Sequence, residues 1–248
     1  MVKKKMVFKK LKTAAAKQWL IRHVNDPYVQ KAIVDNLRNR AAYKLQQIND
    51  KYCILRKGDN VLELGAAPGG WSQIILSIIG IDQYAPRLIG LDLLPIDALS
   101  GAKFIKKNFF DADLYQVLCD MMFDINYNIT CNQDSKGINI MNQIRRDNYN
   151  SNIDKGLFNA ILSDMSPNLT GNNALDHMRI IAFTERIVVD FLKLLKVGGN
   201  FVVKLFDGSE LCKFVADMRT KFTKVYIFKP SASRKKSSEL YCICMKKL

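Results

Sequence analysis

The chain has 248 residues and is 48% hydrophobic, which suits one sizeable α/β domain with a buried core. Lysine and arginine number 38 against 23 acidic residues, and the resulting net charge of +15 favours a polyanionic partner, nucleic acid before an anionic membrane. No apolar run reaches the roughly 20 residues of a transmembrane helix, so no membrane-spanning element is predicted.

The six cysteines and two histidines are not spaced as metal ligands. Because no C-x-x-C pair occurs, no metal site is predicted. Cys242 and Cys244 alternate along an apparent strand and are predicted core residues of a reduced, intracellular protein. No secretory signal is visible, so we expect a cytoplasmic or mitochondrial location before a nucleolar one.

Residues 1–25 form a basic arm with eight basic residues and no acid, from Lys3 to Arg22. Transit peptides are also poor in acids, but they are usually rich in Arg and Ser, whereas this arm is Lys-rich and has no Ser. RNA contact is the favoured interpretation of the arm, and organelle targeting is the alternative.

A first helix is predicted after the arm, with Asp26 as its N-cap and Pro27 in the first helical position. Its apolar period carries it to about Gln47. Arg40 and Lys44 are four residues apart and therefore share a face of this helix. An ordinary solvated face is the alternative interpretation of that pair.

The most informative stretch is residues 61–72, where an apolar run breaks into the turn G-A-A-P-G-G and a helix begins near Trp71. Glycines let the backbone approach a ligand, and the helix start turns its unpaired N–H groups toward it. The spacing is not the G-x-G-x-x-G of dinucleotide sites. Glu63 ahead of the turn would repel a pyrophosphate but suits the ammonium and sulfonium of S-adenosylmethionine (SAM). The predicted cofactor contacts here are Glu63, Gly65, Ala66, Pro68, Gly69, Gly70 and Trp71.

Two further strands, at 87–92 and 103–106, are predicted to complete the cofactor site. The first ends in Asp92, whose carboxylate offers two acceptor oxygens to the vicinal diol of a ribose. The second leads to Asn108 and Phe109, an amide and a ring that suit the edge and face of an adenine. Phe109 as a core residue is the alternative.

Residues 124–157 contain eight asparagines and no sustained period, so they are predicted to be a surface insertion loop. A strand at 157–164 then closes on Asp164, and a long helix from about Asp176 to Leu195 is expected to stop at Gly198-Gly199. The remaining predicted elements are a strand at 201–206, a helix at 209–221, and strands at 224–228 and 239–245.

Alternation of strands and helices predicts one domain, residues 26–248, with a doubly wound, seven-stranded, mostly parallel sheet and helices on both faces. Only about ten residues join the last two strands, which is too short for a helical crossover, so the last strand is predicted to be antiparallel. Parallel strands present their carboxyl ends at one edge, where ligands bind. Four charged residues are expected at that edge: Asp92, Asp164, Lys204 and Glu239.

Four separated motifs together resemble the FtsJ/RrmJ family of SAM-dependent RNA 2′-O-ribose methyltransferases. These are R-N-R-A-A-Y-K-L at 38–45, L-G-A-A-P-G-G-W-S at 64–72, S-D-M-S-P at 163–167, and V-K at 203–204 with S-E-L-Y at 238–241. The resemblance covers most of residues 17–248, implies a Rossmann-like fold, and does not extend to the insertion at 124–157. Family members commonly have an acid where this chain has Asn108.

The resemblance implies a catalytic tetrad of Lys44, Asp164, Lys204 and Glu239, with Asp164 also near the cofactor. Lys204 would accept the proton of the ribose hydroxyl or stabilise the developing alkoxide, and the residue pattern leaves both roles open. Asp164 and Glu239 would orient Lys204, and Lys44 would hold the 2′-oxygen or a phosphate. A buried ion-pair network without catalysis is the alternative.

The expected substrate is a uridine of large-subunit ribosomal RNA, with SAM as methyl donor and S-adenosylhomocysteine as product. Transfer RNA or a capped message is the alternative substrate. An inactive RNA-binding scaffold and a nicotinamide-dependent oxidoreductase are alternatives of other classes. We expect a monomer that contacts RNA through Arg38, Arg40, Arg234, Lys235 and Lys236.

Overall fold

The computed structural model describes residues 18, 20, 21, 23–82, 86–121 and 156–248. The lysines of the basic arm and nearly all of the predicted insertion at 124–157 lie outside these residues, so both predictions stay untested.

Seven strands and five main helices alternate along the described chain. The helices are α1 (Pro27–Val34), α2 (Ala42–Tyr52), α3 (Gly70–Ile79), α4 (Asn173–Phe191) and α5 (Leu211–Arg219), and a 3₁₀ turn follows α4 at Leu192–Leu194. Residues 114–121 are also helical. The strands are β1 (Val61–Leu64), β2 (Leu88–Asp92), β3 (Ala102–Lys106), β4 (Phe158–Ser163), β5 (Leu195–Phe206), β6 (Phe222–Phe228) and β7 (Glu239–Lys247).

The strands form one sheet in the order β3-β2-β1-β4-β5-β7-β6. Strands β1 to β5 pair in parallel, whereas β7 lies between β5 and β6 and is antiparallel to both. The predicted seven-stranded, mostly parallel sheet with an antiparallel last strand is therefore confirmed.

Helices cover both faces of this sheet because the central strands bury side chains on both sides. Leu62 and Leu64 of β1 pack in one apolar cluster with residues of α4 and α5, such as Ile181 and Phe214. Val61 packs in a second cluster with residues of α2 and α3. Every residue of β1 is buried, as expected for a central parallel strand.

The single helix predicted from Asp26 to Gln47 is wrong. Asp26 does cap α1 by accepting the Tyr28 N–H at 3.0 Å, but α1 ends at Val34 and α2 begins only at Ala42. Asn36 has a left-handed backbone with φ of 53°, which is incompatible with a continuous helix. We call residues 35–41 the connecting segment, and it carries Arg38 and Arg40.

The predicted end of the long helix at Leu195 is also wrong. Asn172 caps α4 by accepting the N–H groups of Ala174 and Leu175, and the helix ends at Phe191. Strand β5 starts at Leu195 and continues through Gly198-Gly199, with a register irregularity opposite β4. Leu157, predicted as the last residue of the insertion and the first of the next strand, is a core residue directly before β4.

Candidate active site

The four residues of the predicted tetrad meet at the carboxyl edge of the sheet. Asp164 directly follows β4, Lys204 lies two residues before the end of β5, and Glu239 begins β7. Lys44 reaches the same point from the first turn of α2. The antiparallel register pairs Lys204 with Tyr241 and Phe206 with Glu239, so all four side chains of these two strands point to one face.

The tetrad is a chain of alternating charges. The Lys44 ammonium lies 2.8 Å from Glu239 Oε1. The Lys204 ammonium lies 2.8 Å from Asp164 Oδ1 and 3.9 Å from Glu239 Oε2, and it also donates to the Asp164 backbone carbonyl at 2.5 Å. Lys204 is only 8% exposed, so these contacts compensate for its loss of hydration.

Two hydroxyl groups that the sequence analysis did not assign complete this network. The Tyr241 hydroxyl donates to Asp164 Oδ1 at 2.5 Å, and the Ser233 hydroxyl donates to Glu239 Oε1 at 2.7 Å. A signal for Tyr241 was present, because it follows Glu239 by two positions and a strand brings such residues to the same face. Ser233 lies in a loop, and its role has no comparable sequence signal.

The network keeps Asp164 ionised. Burial alone would raise the pKa of its carboxyl, but the Lys204 and Lys44 charges and the hydrogen bonds from Lys204 and Tyr241 outweigh burial and lower that pKa below its ordinary value. Burial, followed by the Asp164 and Glu239 charges, raises the pKa of Tyr241 well above its ordinary value. Tyr241 therefore stays protonated and acts as a hydrogen-bond donor.

The glycine turn lies beside the tetrad and is held tightly against other parts of the protein. Gly65 and Gly69 have φ of 79° and 104°, which L side chains rarely adopt. Added Cβ atoms would lie 2.3 Å from Met165 Cγ at Gly65 and 2.0 Å from Asn39 Oδ1 at Gly70. The glycines are therefore required by close approach of the protein's own side chains as well as by backbone conformation.

The turn leaves polar groups that suit a small charged ligand. Gly69 caps α3 without a side-chain hydrogen bond, so the first N–H groups of the helix are available to an anion. Asn39 Oδ1 is buried beside Gly70, and within the described residues it has no hydrogen-bond partner. The amino-acid portion of SAM carries a carboxylate and an ammonium, so the groups present fit that cofactor.

Glu63 lies beneath the turn and is 2% exposed. It accepts a hydrogen bond from the Ser72 hydroxyl at 2.5 Å. Burial raises the pKa of its carboxyl to about 8, and the Asp164 and Asp92 charges add to this against the Ser72 hydrogen bond. Glu63 is thus mostly protonated at neutral pH, and its direct contact with a cationic cofactor stays a prediction.

Asp92 joins the loop after β2 to the glycine turn. Its Oδ2 accepts the Ala67 N–H at 2.8 Å, and its Oδ1 accepts the Leu94 N–H at 2.9 Å. Each carboxylate oxygen has a second lone pair, so both can still accept a ribose hydroxyl. The predicted diol contact is compatible with these bonds and remains a prediction.

Asn108 and Phe109, the predicted adenine contacts, differ in their surroundings. Asn108 is exposed and accepts the Phe110 N–H at 3.0 Å through Oδ1. The Phe109 ring packs 4.0 Å from the Phe110 ring and 5.0 Å from the Phe183 ring, measured between centroids. Phe109 therefore serves the core at least in part, which was the alternative interpretation.

The predicted RNA contacts divide into two groups. Arg38 and Arg40 form hydrogen bonds within the protein, whereas residues 234–236 lie at the surface. Arg40 is engaged within the protein, where it donates to Asp26 and to the Ala232 carbonyl. Arg234 lies 3.8 Å from the same Asp26 carboxylate and is partly exposed, while Lys235 and Lys236 are exposed. The third arginine, Arg38, donates to three backbone carbonyls.

The family of the chain follows from its similarity to known proteins. The sequence model of the family described as "FtsJ-like methyltransferase" matches residues 37–247, which include all four tetrad residues. The chain belongs to the FtsJ-like methyltransferase family. It is 36% identical to the ribosomal RNA large subunit methyltransferase E of Brucella anthropi over 230 residues, 92% of this chain and 82% of the relative. The Bartonella bacilliformis protein of that name is 36% identical over 232 residues, 94% of this chain and 84% of the relative.

A solved structure shows the same fold as this FtsJ-like methyltransferase. It is the crystal structure of a Plasmodium falciparum protein that bears the name of a ribosomal RNA methyltransferase. The two chains are 25% identical, with a TM-score of 0.60 over 85% of this chain and 98% of the other. A Rossmann-like methyltransferase fold is thus common to both.

An open cavity adjoins the tetrad of this FtsJ-like methyltransferase. Its volume is about 210 Å³, and its lining combines tetrad residues with predicted RNA contacts: Arg40, Ala41, Lys44, Arg234, Ser237 and Glu239. Across the described ranges, the side chains form no group of three or more His, Cys, Asp or Glu that could hold a metal ion. None of the helices described here is long and apolar enough to cross a membrane.

Proposed function

We propose that this chain transfers the methyl group of SAM to a ribose 2′-hydroxyl of RNA, and that its substrate is a uridine of large-subunit ribosomal RNA. The observation that carries the proposal is the alternation of Lys44, Glu239, Lys204 and Asp164 at the carboxyl edge, beside a turn that fits SAM. The relatives named above act on large-subunit ribosomal RNA according to their names, which supports the substrate class.

The protein's task in this reaction is to position and polarise an alcohol. SAM supplies a methyl group on a cationic sulfur, which is already a good leaving group, so alignment of the 2′-oxygen accounts for much of the rate. Lys204 directs two of its N–H bonds to Asp164, one to the carboxylate and one to the backbone carbonyl. The third position on its nitrogen is left for the 2′-oxygen.

That third position serves either of two roles for Lys204. As an ammonium, Lys204 donates to the 2′-oxygen and stabilises the alkoxide as it develops, and the hydroxyl proton passes to water. As a neutral amine, it accepts the hydroxyl proton instead. In both cases Asp164, to which the Tyr241 hydroxyl donates, fixes the lysine. Glu239 holds Lys44 at a place where it can contact the 2′-oxygen or the neighbouring phosphate.

RNA would reach this site along the cavity between Arg40 and Arg234. The net charge of +15 favours phosphate contacts in general, and the exposed Lys235 and Lys236 lie next to Arg234. We expect affinity to come mainly from phosphates and selectivity from the structured RNA around one accessible nucleotide. Action on ribosomal RNA agrees with the predicted cytoplasmic or mitochondrial location.

The test is methyl transfer from methyl-labelled SAM to three RNAs at matched salt: large-subunit ribosomal RNA, transfer RNA and a capped message. Ribosomal RNA, free or in an assembled subunit, should accept most label, and complete digestion should give 2′-O-methyluridine. Label on a base contradicts the reaction, and preference for transfer RNA or a capped message contradicts the substrate. A chain that binds RNA but transfers no label would instead be a scaffold.

A further inference from the structure

We infer that Arg38 is a positioning residue of the cofactor site. This inference replaces the prediction from sequence that Arg38 contacts RNA. The inference rests on the proposed function, because it assumes that the glycine turn and the loop after β2 hold SAM. The structure assigns this role through the partners of the guanidinium, all of which are backbone carbonyls of those two loops.

The Arg38 guanidinium joins the two loops. Its Nη1 donates to the Pro68 carbonyl at 3.0 Å and to the Asp97 carbonyl at 2.8 Å, and its Nη2 donates to the Ala98 carbonyl at 3.1 Å. Pro68 is part of the glycine turn, and Asp97 and Ala98 belong to the loop that follows Asp92. Asp92 joins the same loops through the Ala67 N–H. Two charged side chains therefore join the glycine turn to the loop after β2. Asp92 does so by accepting backbone N–H groups, and Arg38 does so by donating to backbone carbonyls.

Hydrogen bonds with Gln73 position the Arg38 backbone beside the glycine turn. The Arg38 backbone N–H donates to Gln73 Oε1 at 2.7 Å, and Gln73 Nε2 donates to the Asn36 carbonyl at 3.0 Å. Gln73 lies on α3, the helix that starts at the turn. A Cβ added at Gly69 would lie 2.5 Å from Arg38 Nη1, so the guanidinium also fits against the backbone of the turn. The connecting segment is thus hydrogen-bonded to α3, the helix that follows the glycine turn.

The chemistry of these contacts suits a guanidinium and little else. Three carbonyl oxygens converge on one place, where their dipoles repel each other unless a cation with several fixed donors lies between them. A lysine ammonium is a single point charge and cannot reach all three with the planar geometry of arginine. These three hydrogen bonds use both Nη1–H donors and one Nη2–H donor, so they hold the guanidinium between the two loops. Arg38 therefore contributes to RNA methylation by shaping the SAM site.

The test compares Arg38→Lys and Arg38→Gln with the wild-type chain in SAM calorimetry and in RNA binding at matched salt. We expect about a tenfold loss of SAM affinity for Arg38→Gln, a smaller loss for Arg38→Lys, and RNA affinity within about twofold of wild type. In kinetics, the KM for SAM should rise more than kcat falls. A purely structural role would not give this split or the partial rescue by lysine.

Three controls separate the outcomes. Asp92→Ala should lose SAM affinity, and Lys235→Gln should lose RNA affinity while it keeps SAM affinity. Gln73→Met removes the hydrogen bond from the Arg38 backbone N–H and leaves the guanidinium intact. It should lower SAM affinity about threefold, which gives a second measurement if Arg38→Gln is insoluble. Unchanged SAM affinity with weakened RNA binding in the Arg38 variants overturns the inference alone. A wild-type chain that binds no SAM overturns the proposed function as well.

Discussion

The carboxyl edge of the sheet has a proposed catalytic half and a proposed cofactor half, and the two are built differently. In the catalytic half, Lys44, Asp164, Lys204 and Glu239 fix one another through side-chain charges at distances of 2.8 to 3.9 Å. In the cofactor half, the turn around Gly69 is fixed through its backbone, by Asp92 at the Ala67 N–H and by Arg38 at the Pro68 carbonyl. Substitutions should therefore affect chemistry in the first half and SAM affinity in the second.

The largest expected effect is that of Lys204→Ala in the catalytic half. Removal of the group beside the 2′-oxygen should lower methyl transfer by about 10²- to 10⁴-fold, while SAM affinity changes less than about twofold. Label transfer and calorimetry on the same preparation measure both quantities. Lys224→Ala, which removes an exposed lysine of β6, is the matched control. Wild-type turnover in the Lys204 variant would remove it from the catalytic role.

Gly70→Ala tests the cofactor half through a steric contact. Gly70 does not need a positive φ, but its added Cβ would lie 2.0 Å from Asn39 Oδ1. Overpacking of this kind should cost about 1–3 kcal/mol of stability and should weaken SAM binding. Because Asn39→Ala removes the obstructing amide, the double variant should regain the stability. Thermal unfolding checks the result, and an unchanged melting temperature in the single variant would contradict the close approach.

The glycine turn and the ends of the strands could be predicted from the sequence because they depend on local rules. Small residues mark a tight turn, and acids or lysines at the ends of parallel strands meet at one edge. The break before α2 could not be predicted in this way. Asn36 has a positive φ, yet the apolar period continues past it and no glycine or proline marks the break.

Other features depend on contacts between distant parts of the chain. Gly198-Gly199 has the pattern of a helix stop, whereas pairing with β4 makes it part of β5. Arg38 and Arg40 have the charge of RNA contacts, but their partners are carbonyls and a carboxylate that the fold alone brings near. Charge predicts what a side chain attracts, and only the fold shows which partner is within reach.

Tyr241→Phe tests how the catalytic half keeps Asp164 ionised. The pKa of the Asp164 carboxyl is lowered in the folded protein. Its ionised form therefore stabilises the fold above about pH 4, and this stabilisation is lost as the pH falls through the lowered pKa. Without the tyrosine donor, that loss should begin at a higher pH, and neutral stability should fall by about 1 kcal/mol. Urea unfolding at several pH values measures this. The same acid limb in both proteins would contradict the role of the hydroxyl.

The smallest expected effect concerns Glu63 in the cofactor half. Its pKa is raised from 4.5 to about 8 on folding, so its protonated form supports the fold below pH 4.5 and that contribution is lost as the pH rises through about 8. A cationic cofactor should favour ionisation and release up to about one proton per SAM near neutral pH. Calorimetry in two buffers of different ionisation enthalpy detects this proton. The Glu63→Gln variant should release none, and equal release by both proteins would assign the proton elsewhere.

The position of strand β7 within the sheet affects when the active site can form during synthesis. Glu239 and Tyr241 belong to this last element in chain order, yet β7 lies inside the sheet between β5 and β6. During synthesis, β5 can complete its native pairing on that side only after residues 239–247 have been made. The nascent chain therefore carries Lys44, Asp164 and Lys204 before it has the strand that fixes them. Methyl transfer and full sheet closure therefore both depend on the synthesis of β7.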